Sequence, residues 1–216
     1  MNITWYGLGC FRISERSHPT VVTSPFSTKE REYTLPHRKV EIVTLPTPQD
    51  DCRHIHWKGV HGQPHVFAGP GEYEVGGLFI TAIGTYRDNK RGAQRGENII
   101  YTFHINGFSL CHLGDLGHLP TQTQLETIGS IDIIFVPIGV PGGLTPTKAS
   151  EVISMIEPHI VIPMHYKTPG LTVKRSPLER FLKEMGISKE TSLPELSISA
   201  SDIPEETEVM LLQPRK

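Results

Sequence analysis

Helix-period apolar spacing occurs only in the second half of this chain, whereas short strand-like runs punctuated by Gly, Pro and Ser fill the first. That division limits the fold more than any single motif. Strands are expected at Ile3–Trp5, Cys10–Ser14, Thr20–Thr23, Val40–Leu45, Val66–Ala68, Tyr73–Val75 and Leu78–Ile83, with Gly76-Gly77 as a tight hairpin turn. Residues Asn98 to Leu110 read as two more strands around an Asn106-Gly107 turn, because Asn-Gly supplies the positive φ angles that such a turn needs. Ile131–Pro137, Ile160–Pro163 and Val209–Leu212 complete the set. Helices are expected at Thr121–Ile128, Thr147–Ile156 and Pro177–Met185. The second would bury Ala149, Val152, Ile153 and Ile156 on one face, and the third would open on a capping box, Ser176-Pro177-Leu178-Glu179. Strands first and strand–helix alternation later imply an α/β sandwich, with two mixed β-sheets and helices on the outside.

A chain of 216 residues suffices for one domain with a substantial core, and no linker divides it, so residues 1–216 are expected to form a single domain. The formal net charge of −2 argues against electrostatic attraction to nucleic acid or to an anionic membrane. No apolar run is long enough to span a bilayer, and MNITWYGLGCF lacks the basic-then-apolar pattern of a signal peptide. Three cysteines are an odd number in a long chain, which fits a reducing cytoplasm better than a disulfide framework.

The stretch CHLGDLGH, residues 111 to 118, places an aspartate between glycines directly after an apolar strand, with a histidine three residues away on either side. Asp115 there either holds a metal or reacting group or braces a turn. His112 and His118 either line the same pocket or brace its loop.

Several separated motifs recur in an order that resembles the metallo-β-lactamase-fold hydrolases. ITWYGLGCF followed by VVTSPF resembles the opening hairpin and second strand of that fold, and KVEIVTLPTPQDDC stands in the place of its metal loop. GEYEVGG, TYRD, RGENIIY, CHLGDLGH, IDIIFVPIG and VIPMHYKTP follow in the family's order, over residues 1 to about 170. The resemblance is closest to the branch that includes L-ascorbate-6-phosphate lactonase-like proteins. It implies an αβ/βα sandwich and a two-metal site, in which three histidines hold the first metal. An aspartate and a histidine of the loop, with a C-terminal histidine, hold the second, and another aspartate bridges both.

By that resemblance, Thr47 and Gln49 stand where two histidines are expected, Asp51 keeps the aspartate and Cys52 replaces the last loop histidine. Arg87 stands at the third histidine of the first site, Asp115 matches the bridging aspartate and His165 the final histidine. Leu8 replaces a histidine found in many relatives, and Ser24 an aspartate. Hydroxyl and amide groups are weak zinc ligands and a guanidinium repels a cation, so the first metal site is expected to be lost. Asp51, Cys52, Asp115 and His165 can together hold one divalent metal, zinc by donor type. Such a centre carries a net charge of about −1, acidifies water weakly and leaves no open coordination position. Alternatively, Arg87 pairs bidentately with Asp115 and supplies the positive charge itself. The cofactor expectation is therefore at most one metal, with the metal-free pocket favoured.

The remaining polar residues have two readings each. Thr47, Gln49, Arg87, His118 and Lys167 are candidates to contact substrate, and Lys167 or Arg95 would meet an anionic one or simply be solvated. His54, His56, His61 and His65 match no ligand spacing and read as a solvated loop. Gly-rich GPGEYEVGG reads as hairpin turns rather than a nucleotide cradle. Three functions follow. One is a hydrolase acting on an ester, lactone or phosphoester, with Asp51 orienting the attack or accepting a proton, and with activity weakened or lost. Another is a non-catalytic protein that binds a small anionic molecule or a partner. The third is a structural protein stabilised by zinc.

Overall fold

The computed structural model describes residues 1–26, 36, 38–47, 60–171, 173–188 and 191–215. Along the chain run β1 (Asn2–Trp5), β2 (Phe11–Ser14), β3 (Val21–Thr23), β4 (Ile42–Thr44), β5 (His65–Phe67), β6 (Gly71–Val75), β7 (Leu78–Tyr86), β8 (Glu97–Ile105) and β9 (Phe108–His112). After them come α1 (Gln122–Ile128), β10 (Ile133–Pro137), α2 (Pro146–Ile156), β11 (Ile160–Met164), α3 (Glu179–Glu184), β12 (Ser192–Leu193), β13 (Leu196–Ser197), β14 (Glu208–Val209) and β15 (Leu211–Leu212).

Two mixed sheets form a sandwich. The first has the order β13-β1-β2-β3-β4-β5 and the second β14-β11-β10-β9-β8-β7-β6, with β12-β15 as a small separate pair. Ile3, Trp5, Phe11 and Ile13 of the first sheet share one core with Tyr101, Phe103 and Phe135 of the second. Phe11 and Phe135 meet with ring centroids 4.5 Å apart. Truncating either ring would cost about 3–5 kcal/mol, because a packed interior does not collapse onto the void. β10 and β11 are buried at every residue, as parallel strands covered on both faces must be.

Both expected hairpin turns are present. Val75 pairs with Leu78 across Gly76-Gly77, and Ile105 with Phe108 across Asn106-Gly107, with positive φ at all four turn residues. α2 buries Ala149, Val152, Ile153 and Ile156 as its periodicity requires. Other expectations need correction. The capping box at Ser176 does not form: Ser176 instead donates its N–H to Gly139 O and accepts from Lys167 N, and the helix begins at Glu179 without a side-chain cap. The strand expected over Val209–Leu212 divides into β14 and β15, which join different sheets on either side of Met210.

Five strand ends point at one place. β3 and β4 run parallel in the first sheet, and β9, β10 and β11 run parallel in the second. Beyond their C-terminal ends lie Ser24, Thr47, Asp115, Gly139 and His165. Ligand sites of α/β sheets form at such ends.

Candidate functional site

Asp115 is fixed by its own backbone before its side chain does anything. Its N–H donates to Asn98 Oδ1 at 2.7 Å, and the Asn98 amide in turn donates to Thr85 Oγ1 at 2.8 Å and Leu113 O at 3.0 Å. Asn98 is fully buried, so this network locks the loop to β7 and β8. Gly114 has φ +60°, and a Cβ there would lie 2.5 Å from Asn98 Oδ1. A Cβ on Gly117 would overlap the Arg87 carbonyl. These two glycines let the loop rest directly on the end of β7, which brings Arg87 to Asp115.

The Arg87 side is fixed by Asp88. This buried carboxylate accepts N–H bonds from Lys90 and Gly92 on one oxygen, and from Gln94 and Arg95 on the other, at 2.6–3.0 Å. Burial pushes its pKa up, but the four donors outweigh burial and hold it below the usual range. Arg87 and Arg95 therefore leave opposite ends of a knotted loop.

Arg87 Nη2 lies 3.1 Å from Asp115 Oδ2, and His165 Nε2 lies 3.3 Å from Oδ1. The ion pair expected from sequence is thus present through one contact rather than bidentately, because the second carboxylate oxygen faces His165. Burial raises the Asp115 pKa, while His165, Arg87, Arg175 and Arg95 lower it and prevail. The carboxyl is held below its usual range, and the group is a carboxylate at neutral pH. The guanidinium on Oδ2 gives that oxygen a charged hydrogen-bond partner.

His165 sits at φ +60°, and its N–H donates to Leu8 O at 3.3 Å. Leu8 and Ser24 beside it also have positive φ, at 53° and 43°. Non-glycine residues in this conformation are costly and concentrate at functional sites. A Cβ on Gly9 would lie 2.6 Å from His165 Nε2, so only glycine lets the imidazole stay where it is.

Residues 2–165 match the family model described as the β-lactamase superfamily domain. The chain belongs to that superfamily. A solved structure from Thermotoga maritima, named as a Zn-dependent hydrolase of the metallo-β-lactamase superfamily, is 32% identical, with 98% of each chain covered and a TM-score of 0.78. A UPF0173 protein of Pyrococcus abyssi is 26% identical over 79% of this chain and 85% of its own. A UPF0173 metal-dependent hydrolase of Lysinibacillus sphaericus is 28% identical over 62% of this chain and 61% of its own. The αβ/βα sandwich expected from the motifs is the superfamily's fold.

Against the superfamily's two-metal pattern, Asp115, His165 and Arg87 converge, and Thr47 is buried at the adjoining end of β4. Gln49, Asp51 and Cys52, like His54 and His56, lie outside the described residues. Among the described residues, no three His, Cys, Asp or Glu side chains come together as a metal-binding group. His118 has both ring nitrogens engaged: Nε2 accepts from Tyr86 N at 3.1 Å and Nδ1 donates to Leu119 O at 2.8 Å. It braces the loop in this arrangement. His112 does the same from the other side, with Nδ1 accepting from Gly114 N and Nε2 donating to Gly9 O. Burial pushes its pKa down to about 4, so the ring is neutral. Lys167, His61 and His65 are exposed. Among the described residues, no helix is long and apolar enough to cross a membrane.

Sequence reasoning missed Asn98, Asp88 and Arg175. The Asp-Asn start and repeated glycines of DNKRGAQRG signal a turn at Asp88, but the buried role of Asn98 in mid-strand leaves no sequence signal.

Proposed function

We propose that the Asp115 pocket is a reduced form of the superfamily's metal site, holding at most one divalent metal, zinc by donor type, and that the protein is weakly active or inactive on esters, lactones and phosphoesters. The observation that carries this reading is the Arg87–Asp115 ion pair at 3.1 Å. By the resemblance, Asp115 is the carboxylate that would bridge two metals and Arg87 stands in the place of a first-site ligand. A guanidinium there neither ligates nor tolerates a second cation. The donor set therefore does not fit a dinuclear centre.

A single ion would fall to Asp51, Cys52, Asp115 and His165, and would contribute Lewis acidity and a more acidic water. The chain's own residues do the rest. Arg87 compensates the Asp115 charge, Gly9 leaves room for the His165 ring, and Asn98 and Asp88 hold the two loops in register. Asp51 is the residue assigned to orient a nucleophile or accept its proton. A second reading, a non-catalytic protein that binds a small anion, is favoured by the guanidinium of Arg87 at the pocket.

Restoring the missing ligands tests the reduced-site reading. A variant carrying Thr47→His, Gln49→His, Cys52→His and Arg87→His together should take up close to two metals and gain slow hydrolysis of an activated ester or phosphodiester that the parent lacks. A folded variant that gains no metal would mean that these loops do not converge as a metal site.

A further inference from the structure

Asparagine side chains are chemically labile, and the chain has four of them: Asn2, Asn89, Asn98 and Asn106. An asparagine loses its amide most readily when the backbone nitrogen of the next residue is free to attack its side-chain carbonyl carbon. The fold engages that nitrogen at two of the four. Lys90 N donates to Asp88 Oδ1 at 2.7 Å, and Ile99 N donates to Pro46 O at 2.8 Å. Asn2 is followed by Ile3, a buried residue of β1 whose branched side chain crowds its own nitrogen.

Asn106 differs in each respect. Asn106 and Gly107 are both exposed at the tip of the β8–β9 hairpin. Ile105 and Phe108 pair across the turn and close it, so the ladder makes no use of the Gly107 N–H. Nothing lies within 4 Å of the place a Gly107 Cβ would occupy, so the space beside this peptide is open. The Asn106 side chain also ties the hairpin to the end of β2. Its Nδ2 donates to Glu15 Oε1 at 3.2 Å, while Glu15 Oε2 pairs with the Met1 amino group at 2.7 Å. Hydrogen bonding to that amino group holds the Glu15 carboxyl below its usual range, so Glu15 is a carboxylate at neutral pH.

We propose that Asn106 is a self-modifying site, at which the folded chain deamidates through a succinimide formed with Gly107. The Gly107 nitrogen bonds to Asn106 Cγ, the Cγ–Nδ2 bond breaks, and the Gly107 N–H proton leaves with the side-chain nitrogen as ammonia. Solvent water then opens the ring at either carbonyl and leaves aspartate or isoaspartate, with nothing oxidised or reduced. Both products undo the local structure. Aspartate replaces the donor to Glu15 by a second carboxylate, and like charges in contact repel. Isoaspartate also adds a methylene to the main chain of a two-residue turn, whose length fixes the pairing of β8 with β9. The tip lies at the far end of these strands from Asn98 and Asp115, so the inference is independent of how the Asp115 pocket is read.

Peptide mapping by mass spectrometry tests it, on the purified chain kept in mildly alkaline buffer and shown by circular dichroism to stay folded. A guanidinium-unfolded sample runs beside it to set the time needed. The expected result is loss of the amide at residue 106 alone, with product that isoaspartyl methyltransferase labels, while Asn2, Asn89 and Asn98 keep theirs. Retention of the Asn106 amide in the folded chain, over the time in which the unfolded sample converts, overturns the proposal. Conversion without any isoaspartate overturns the succinimide step. Asn106→Asp made directly should unfold at a lower temperature than the parent at neutral pH, and its deficit should shrink when Glu15→Gln is present in both proteins. A parent-like Tm for Asn106→Asp overturns the consequence assigned to Glu15.

Discussion

Replacing Arg87 by methionine keeps most of the aliphatic stem and removes the charge from Asp115. The two side chains are 24% and 15% exposed, so the pair is neither a surface contact nor a fully buried one. Surface pairs contribute about 0–1 kcal/mol and breaking a buried pair costs about 3–5 kcal/mol. One charge-assisted hydrogen bond of this kind contributes about 1.5–3 kcal/mol. Arg87→Met should therefore destabilise by about 2 kcal/mol at pH 7, which for a chain of this length lowers Tm by about 4–8 °C. The sign of the pH dependence follows from the Asp115 carboxyl being held below its ordinary value. Its contribution is full above about pH 4, the range of an unperturbed aspartate, and is lost as pH falls through the lower folded value. Thermal unfolding of parent and variant should give a full gap at pH 7 that narrows below about pH 4. A folded variant with the parent Tm at pH 7, or a gap undiminished in acid, would refute the role assigned to Arg87.

Two further outcomes test the frame around the site. His112 is neutral when folded, with its pKa pushed down to about 4 from an ordinary 6.5, so the unfolded chain takes up the proton first. Stability should fall by about 3 kcal/mol as pH drops from 6.5 to 4, and urea unfolding of His112→Gln should lack that component; an equal loss in both proteins would sink the assignment. Gly9→Ala places a methyl group 2.6 Å from the original position of His165 Nε2 and should cost about 1–3 kcal/mol while moving the ring off Asp115. A crystal structure of a fully stable variant with His165 unmoved would contradict the close-approach argument.

Much of this was legible in the sequence, for physical reasons that differ by element. Asn106-Gly107 and Gly76-Gly77 announce their turns because few residues accept two successive positive φ angles. The apolar runs of β10 and β11 and the buried face of α2 are local patterns that tertiary packing reinforced. β12 and β13 are two-residue strands with mostly exposed side chains, too short to carry a period. Ser176 met a stronger claim on its backbone from Gly139 and Lys167 than a helix start could make. At the site, the motif order placed Asp115, Arg87 and His165 together. It said nothing of Asn98, whose partners Thr85, Leu113 and Asp115 are brought near only by the fold, or of Asp88, whose four backbone donors lie in its own loop. Arg175 lies beyond the motifs that carry the resemblance, so no aligned position pointed to it. The histidines beside Asp115 read from sequence as lining the pocket or bracing its loop, and hydrogen bonds at both ring nitrogens of each give them the bracing contacts.

A guanidinium in the place of a metal ligand at Asp115 leaves no room for a dinuclear centre. Elemental analysis of protein purified without chelator and without added metal measures this directly, as equivalents of zinc, iron and manganese per folded chain. At most one equivalent is expected, whichever metal is found. Two tightly held equivalents per chain would contradict it.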